Sequence, residues 1–386
     1  MTQKKFATSS ILAIGAAHFV HDVFTGILAP LLPLLIEKLS LTLTMAGALA
    51  VLMQLPSFLN PVLGSYVDRH GFARALVIAC PGASGALMLF MGFAPGFVSL
   101  SCLLFVVGVS VASFHVSGPV VIKNLAANRV GRGMSFFMVG GELARTAAPL
   151  AAVQFVSVFG LEGLWQLIPV PLAASAILWA RLGRLPASPL GRKTSGLLAV
   201  WSEMRHVLLA VVGILMARSF LIGGLSTFLP TYLHQQGETL WDANLALAVF
   251  QLFGALGALA SGSLSDRIGR RRVLATAIIV APPLMWLFVV IDGPFRLVVL
   301  AALGFASLAT APVLMAIVLE NAGDNLAAAN GTYFMVSFAA RGLVLLAVGA
   351  MGDAFGLNTA YLWCSALAAV GVPFLFLLPS PAHRSG

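Results

Sequence analysis

From Leu245 to Ala260 the chain has no charged side chain, yet the turn GSLSDRIGRRR at Gly262–Arg272 packs five charges, four of them arginine, into eleven residues. Long uncharged runs broken by short charged turns recur along the sequence, and this pattern leaves few folds open. Only 9% of the 386 residues are charged, against 60% hydrophobic, where a soluble domain has about 25% charged. So few polar side chains cannot cover a water-exposed surface of this size. Lipid is therefore the solvent over most of the chain.

A bilayer core takes about 20 apolar residues per helix. The uncharged runs predict twelve spans, at 9–36, 43–66, 73–93, 98–122, 133–158, 162–181, 203–230, 241–263, 272–291, 296–319, 328–352 and 357–379. The first follows Lys4 and Lys5 as a signal peptide would, but it runs on to Ile36 and contains His18, His21 and Asp22, so it reads as an uncleaved span. The expected fold class is an all-α membrane protein. With both termini in the cytoplasm, Lys38 and Arg296 face outward, Arg145, Arg218 and Arg341 fall in mid-span, and the other 17 of the 22 basic residues lie on the cytoplasmic side. Basic residues spaced between apolar runs anchor topology, so the net charge of +9 does not indicate nucleic acid. Cys80, Cys102 and Cys364 are scattered and form no disulfide framework or zinc motif. No metal and no cofactor is expected, and no phosphate-binding Walker loop is present.

The chain repeats itself. GSYVDRHGFAR at Gly64 returns as GSLSDRIGRRR at Gly262, an offset of 198; GILAPLLP at Gly26 returns as GGLSTFLP at Gly223, and Gln54 as Gln251, both at offset 197; FGLEGLW at Phe159 returns as FGLNTAY at Phe355, an offset of 196. The expected organisation is a six-helix bundle at 1–181, a cytoplasmic linker at 182–202 and a second, parallel six-helix bundle at 203–386. Two such halves about an axis along the membrane normal enclose a site near the midplane.

The turn Gly-x-Leu-x-Asp-Arg-x-Gly-Arg-Arg resembles the signature loop of the major facilitator superfamily. The second copy matches in full through Gly262, Leu264, Asp266, Arg267, Gly269, Arg270 and Arg271. The first keeps Gly64, Asp68, Arg69, Gly71 and Arg74 and has Tyr66, Phe72 and Ala73 at the other positions. HFVHDVFTGILAPLLPLL, FHVSGP and VGGELARTAAPL resemble the fosmidomycin-resistance type of drug exporter. The resemblance implies twelve helices, alternating access, and a cavity lined by helices one, two, four, five, seven, eight, ten and eleven. It implies a cytoplasmic gate at Gly64, Asp68, Arg69, Gly262, Asp266, Arg267 and Arg270, with the two aspartates accepting hydrogen bonds from a helix N-terminus or from arginine.

Ionisable groups at bilayer depth usually mark function. His18, His21 and Asp22 share one face of the first helix, and Glu142 and Arg145 are spaced to pair on the fifth. Arg218 lies 197 after His21, and Arg341 lies 196 after Arg145. Asp22, Glu142 and His21 are the candidate proton-coupling residues. Arg145, Arg218, Arg341, His18, His115, Gln54 and Gln251 are the candidate substrate contacts. Three mid-span arginines against two carboxylates favour an organic anion or acidic amphipathic cargo. Met134 and Met138 read as packing residues. The expectation is a monomeric, proton-coupled carrier of the inner membrane that exports a small organic or drug-like molecule. The alternative is an uptake carrier or exchanger for a small carboxylate. A membrane enzyme would need a nucleophile–base pair or metal ligands, which the sequence does not present.

Overall fold

A computed structural model describes residues 6–183, 197–322 and 326–378, and only the backbone at Pro61, Asp68, 197–206 and 326–328; among the described residues there are helices and turns and no strand. Lys4, Lys5, Arg184, Arg192, Lys193, Arg384, the linker residues 184–196 and the side chains of Asp68 and Arg205 lie outside this description. In chain order the helices are α1 (Thr8–Thr25), α2 (Leu28–Leu39), α3 (Leu43–Gln54), α4 (Asn60–His70), α5 (Ala73–Met88), α6 (Phe97–Leu125), α7 (Val130–Gly163) and α8 (Pro169–Leu182). They continue with α9 (Leu197–Gln235), α10 (Leu240–Ile268), α11 (Arg270–Val290), α12 (Phe295–Leu308), α13 (Thr310–Glu320), α14 (Leu326–Ala369) and α15 (Gly371–Phe374).

Twelve crossings emerge from these helices. Nine helical stretches among the described residues are long and apolar enough to span a bilayer. Two of them, Val130–Leu182 and Ala329–Leu377, double back at Gly160 (φ 68°) and Gly356 (φ 79°), so each crosses twice. The remaining crossing joins α3 to α4 through a 3₁₀ turn at Leu55–Leu59. Other spans are interrupted as well: α1 gives way to α2 at Gly26, and α12 to α13 at Ala309. α9 starts at Leu197, inside the expected linker 182–202.

The internal repeat is visible in the backbone. Gly71 and Gly269 sit at matching places in the two copies of the charged turn, with φ of 70° and 100°. Gly160 and Gly356 match at the two elbows. A side chain would strain all four, because positive φ brings Cβ against the backbone. The turns are therefore written into the sequence as glycine.

The described chain packs into two compact units: Met1–Leu41, Leu49–Lys193 and Thr239–Ala248 form one, and Thr42–Ala48, Thr194–Glu238 and Val249–Gly386 the other. The first is built around Ile11, Ile14, Val77, Phe114, Ile122 and Leu178, and the second around Leu208, Ile214, Leu274, Leu314 and Tyr333. Outward-facing Trp179, Leu259, Phe295 and Phe376 are exposed, as a lipid-facing surface requires.

Small residues set the helix spacing in each unit. A Cβ on Gly140 of α7 would stand 2.3 Å from the Gly15 carbonyl oxygen of α1, and one on Gly15 would stand 2.9 Å from the Phe136 carbonyl oxygen. Helices α1 and α7 thus touch backbone to backbone, the use expected of a small-residue stripe in a membrane. In the second unit Gly257 of α10 meets the Phe305 carbonyl of α12, and Gly304 meets the Phe250 carbonyl.

Candidate functional site

The close crossing of α1 on α7 places a polar cluster inside the first unit. His18 and Asp22 are one turn apart on α1, with His18 Nε2 3.2 Å from Asp22 Oδ2. His21 Nδ1 lies 2.8 Å from Asp22 Oδ1. From α6, His115 brings Nε2 to 3.3 Å from His18 Nε2 and 3.7 Å from Asp22 Oδ1. Phe137 stacks on the His18 ring at 4.0 Å between centroids, and Phe114 on the His21 ring at 4.4 Å. Gly141 leaves the space that the His18 ring edge fills: a Cβ there would be 2.8 Å from His18 Cε1.

The tautomers follow from the partners. His18 Nδ1 meets the Phe137 carbonyl at 2.7 Å, and His115 Nδ1 meets the Val111 carbonyl at 2.9 Å. A carbonyl only accepts, so both Nδ1 atoms bear hydrogen and both neutral rings turn an Nε2 lone pair inward. Two lone pairs and a carboxylate oxygen then converge on one spot. Like ends repel, so the arrangement needs either a proton on one of the two Nε2 atoms or a metal ion between them. His21 donates Nδ1–H to Asp22, and its Nε2 is buried with no hydrogen-bond partner among the described residues.

Glu142 and Arg145 form the expected ion pair on α7, and Thr146 Oγ1 donates to the Glu142 carbonyl at 3.2 Å. The Glu142 side chain is 26% exposed and that of Arg145 53%, whereas Asp22 is 17% exposed. Met134 packs on the core of the first unit, and Met138 is exposed. Gln54 Nε2 donates to Ala50 O one turn back, at 3.1 Å.

In the second unit, Arg218 on α9 donates from Nε to Thr310 Oγ1 at 2.7 Å, and Thr310 passes the bond on to the Ser307 carbonyl. No carboxylate pairs with Arg218 among the described residues. A small cavity beside it is lined by Ala217, Leu221, Ala281, Ser307 and Thr310. Arg341 lies on α14, with Cγ 3.7 Å from where a Gly223 Cβ would be on α9. Gln251 Nε2 is 3.4 Å from Ser226 Oγ. Thr310 and Gly141 bear on these sites but carry no sequence signal, because each matters only through its neighbours in space.

At the second charged turn, Arg270 reaches Asp266 at 2.6 Å, Glu320 of α13 at 3.0 Å and Ser265 Oγ at 2.5 Å. This knot ties α10 and α11 to the end of α13. Arg69 and Arg267 are exposed, and Gly262 has open space around its Cα.

Comparison with known proteins agrees with this architecture. The Major Facilitator Superfamily profile matches residues 14–343 and 239–386. The chain is similar to the MFS-type transporter YfnC of Bacillus subtilis (strain 168), at 27% identity over 96% of this chain and 92% of that one. It is also similar to the fosmidomycin resistance protein of Escherichia coli (strain K12), at 24% identity over 96% and 93%. Its fold is that of a bacterial homolog of the human lysosomal transporter Spinster, in an inward-facing and occupied conformation, with TM-score 0.79, 15% identity and coverage of 98% and 99%. Twelve crossings, glycine elbows in register and a profile match along most of the length place the chain in the Major Facilitator Superfamily, a family of membrane transporters and not of enzymes.

Proposed function

We propose that the chain exports a small, drug-like organic compound bearing an acidic group, driven by protons, as an inner-membrane monomer with both termini in the cytoplasm. The observation that carries this reading is Arg218. It sits among apolar helices, and among the described residues it donates a hydrogen bond to Thr310 and has no carboxylate to pair with. A desolvated arginine without a counter-charge is expensive, and its planar fork fits the two oxygens of a carboxylate or phosphonate. Similarity to the Escherichia coli fosmidomycin resistance protein supports outward transport.

Glu142 is the proposed proton carrier. The Glu142–Arg145 pair is more exposed than Asp22, and a carrier must exchange protons with both sides. As the bundles rock, the carboxylate trades Arg145 for a proton. The Asp266–Arg270–Glu320 knot is the proposed cytoplasmic gate element, released when that side opens.

Reconstituted vesicles test the reading. With an imposed pH difference, the parent chain accumulates an acidic cargo against its gradient. Glu142→Gln loses that accumulation and keeps cargo-for-cargo exchange. Full uphill transport by Glu142→Gln removes the residue from coupling. The same Arg218 observation also suits a second reading, an uptake carrier or exchanger for a small organic anion, and the direction of flux in oriented vesicles decides between them.

A further inference from the structure

We propose that His18, His115 and Asp22 form a binding site for a divalent transition-metal ion of the zinc class. Their donor atoms all lie within 4.8 Å of one another. The individual separations are 3.3 Å between the two Nε2 atoms, 3.2 Å from His18 Nε2 to Asp22 Oδ2 and 3.7 Å from His115 Nε2 to Asp22 Oδ1. A tetrahedral ion with bonds of about 2.0–2.1 Å holds its ligand atoms about 3.3 Å apart. The ion supplies the positive charge that the converging lone pairs lack.

The surroundings match a metal centre as well. Each ligating histidine donates its other ring hydrogen to a backbone carbonyl, Phe137 O for His18 and Val111 O for His115. Such outer bonds fix the ring and the tautomer. Asp22 Oδ1 also accepts Nδ1–H of His21, which orients the carboxylate with Oδ2 toward His18 and Oδ1 toward His115. Two imidazoles and one carboxylate suit zinc, cobalt or nickel better than magnesium or calcium. The ligands come from α1 and α6, so the ion clamps those two helices. Its fourth position opens beside His115, the most exposed of the three at 38%, and takes water.

The test uses the purified full-length chain, free of any histidine tag, stripped with chelator in detergent. Zinc is titrated calorimetrically, and cobalt(II) is added as a spectroscopic stand-in. One zinc ion per chain is expected, with the intense visible bands of tetrahedral cobalt. His115→Ala weakens binding at least a hundredfold, since even outer-shell partners are worth 10–100-fold, and His115→Cys, whose thiolate is a ligand, restores it. Absence of saturable binding overturns the proposal, and so does binding that His115→Ala leaves unchanged. Should His115→Ala fail to fold, Asp22→Asn takes its place. Loss of the cobalt bands in that variant supports the site, and unchanged bands overturn it. Binding is read without cargo or gradient, so this result and the export reading stand or fall separately.

Discussion

Replacing Gly141 by alanine tests the geometry of the polar cluster through one carbon atom. The new Cβ would lie 2.8 Å from His18 Cε1, 3.0 Å from His18 Nε2 and 3.3 Å from Asp22 Oδ2. Ordinary contact begins at 3.4 Å, so the ring edge must retreat by about 0.6 Å. The ring has nowhere easy to go, because Nδ1 is tied to the Phe137 carbonyl at 2.7 Å and its face lies on the Phe137 ring. The retreat strains the His18 Nδ1–H bond to the Phe137 carbonyl and the ring stacking, and forcing one extra carbon into a filled site costs about 1–3 kcal/mol. Alanine in place of a helical glycine returns about 0.5–1 kcal/mol. The net loss is about 1–2 kcal/mol, or roughly 2–8 °C in Tm for a unit of this size. Gly131→Ala, on the same helix with nothing within 4 Å of its Cβ, is the control and keeps only the gain. Thermal melts of the purified proteins in one detergent compare the two. A Gly141→Ala variant that melts at or above Gly131→Ala refutes the tight fit of His18 against α7.

Three further outcomes follow from the geometry. Arg218→Ala weakens binding of an acidic cargo by about 10- to 100-fold, the worth of a charge-assisted contact, and leaves a neutral analogue unaffected; equal losses for both mean that the arginine does not meet the cargo. Arg296→Ala removes bonds to Tyr232 Oη at 3.0 Å and to the Phe288 carbonyl at 3.2 Å, together with stacking on both rings, so Tm falls by several degrees, and Arg296→Lys recovers only part of it. Gly269→Ala meets no neighbouring atom yet sits at φ 100°, so it loses about 1–2 kcal/mol from backbone strain alone, whereas Gly262→Ala, equally open but helical, does not; equal melting of the two contradicts the strain.

The twelve spans are legible in the sequence because lipid imposes one rule on every residue it touches, and charge marks each exit from it. The repeat is legible because its turns need glycine in a left-handed conformation, and the pairs Gly71 with Gly269 and Gly160 with Gly356 keep that need in both halves. Inside one helix the site is legible too: His18 with Asp22, and Glu142 with Arg145, are neighbours by helical spacing alone. Across helices it is not. His115 joins Asp22 from 93 positions away, and Thr310 joins Arg218 from 92. Without those joins, Asp22 stands out in the sequence for lacking an arginine on its own helix; the fold surrounds it with three imidazoles instead. For the same reason the sequence shows no metal motif, since two of the three donors share a helix and the third lies far along the chain.

The contact of α1 on α7 at Gly15 and Gly140 has a mechanical result. Main chain rests on main chain there, with no flexible side arm to yield, so neither rod can slip by a turn of about 5.4 Å without first lifting clear. His18, His21 and Asp22 on one rod and the Glu142–Arg145 couple on the other are thereby held in a single strut and travel together whenever this part of the molecule moves.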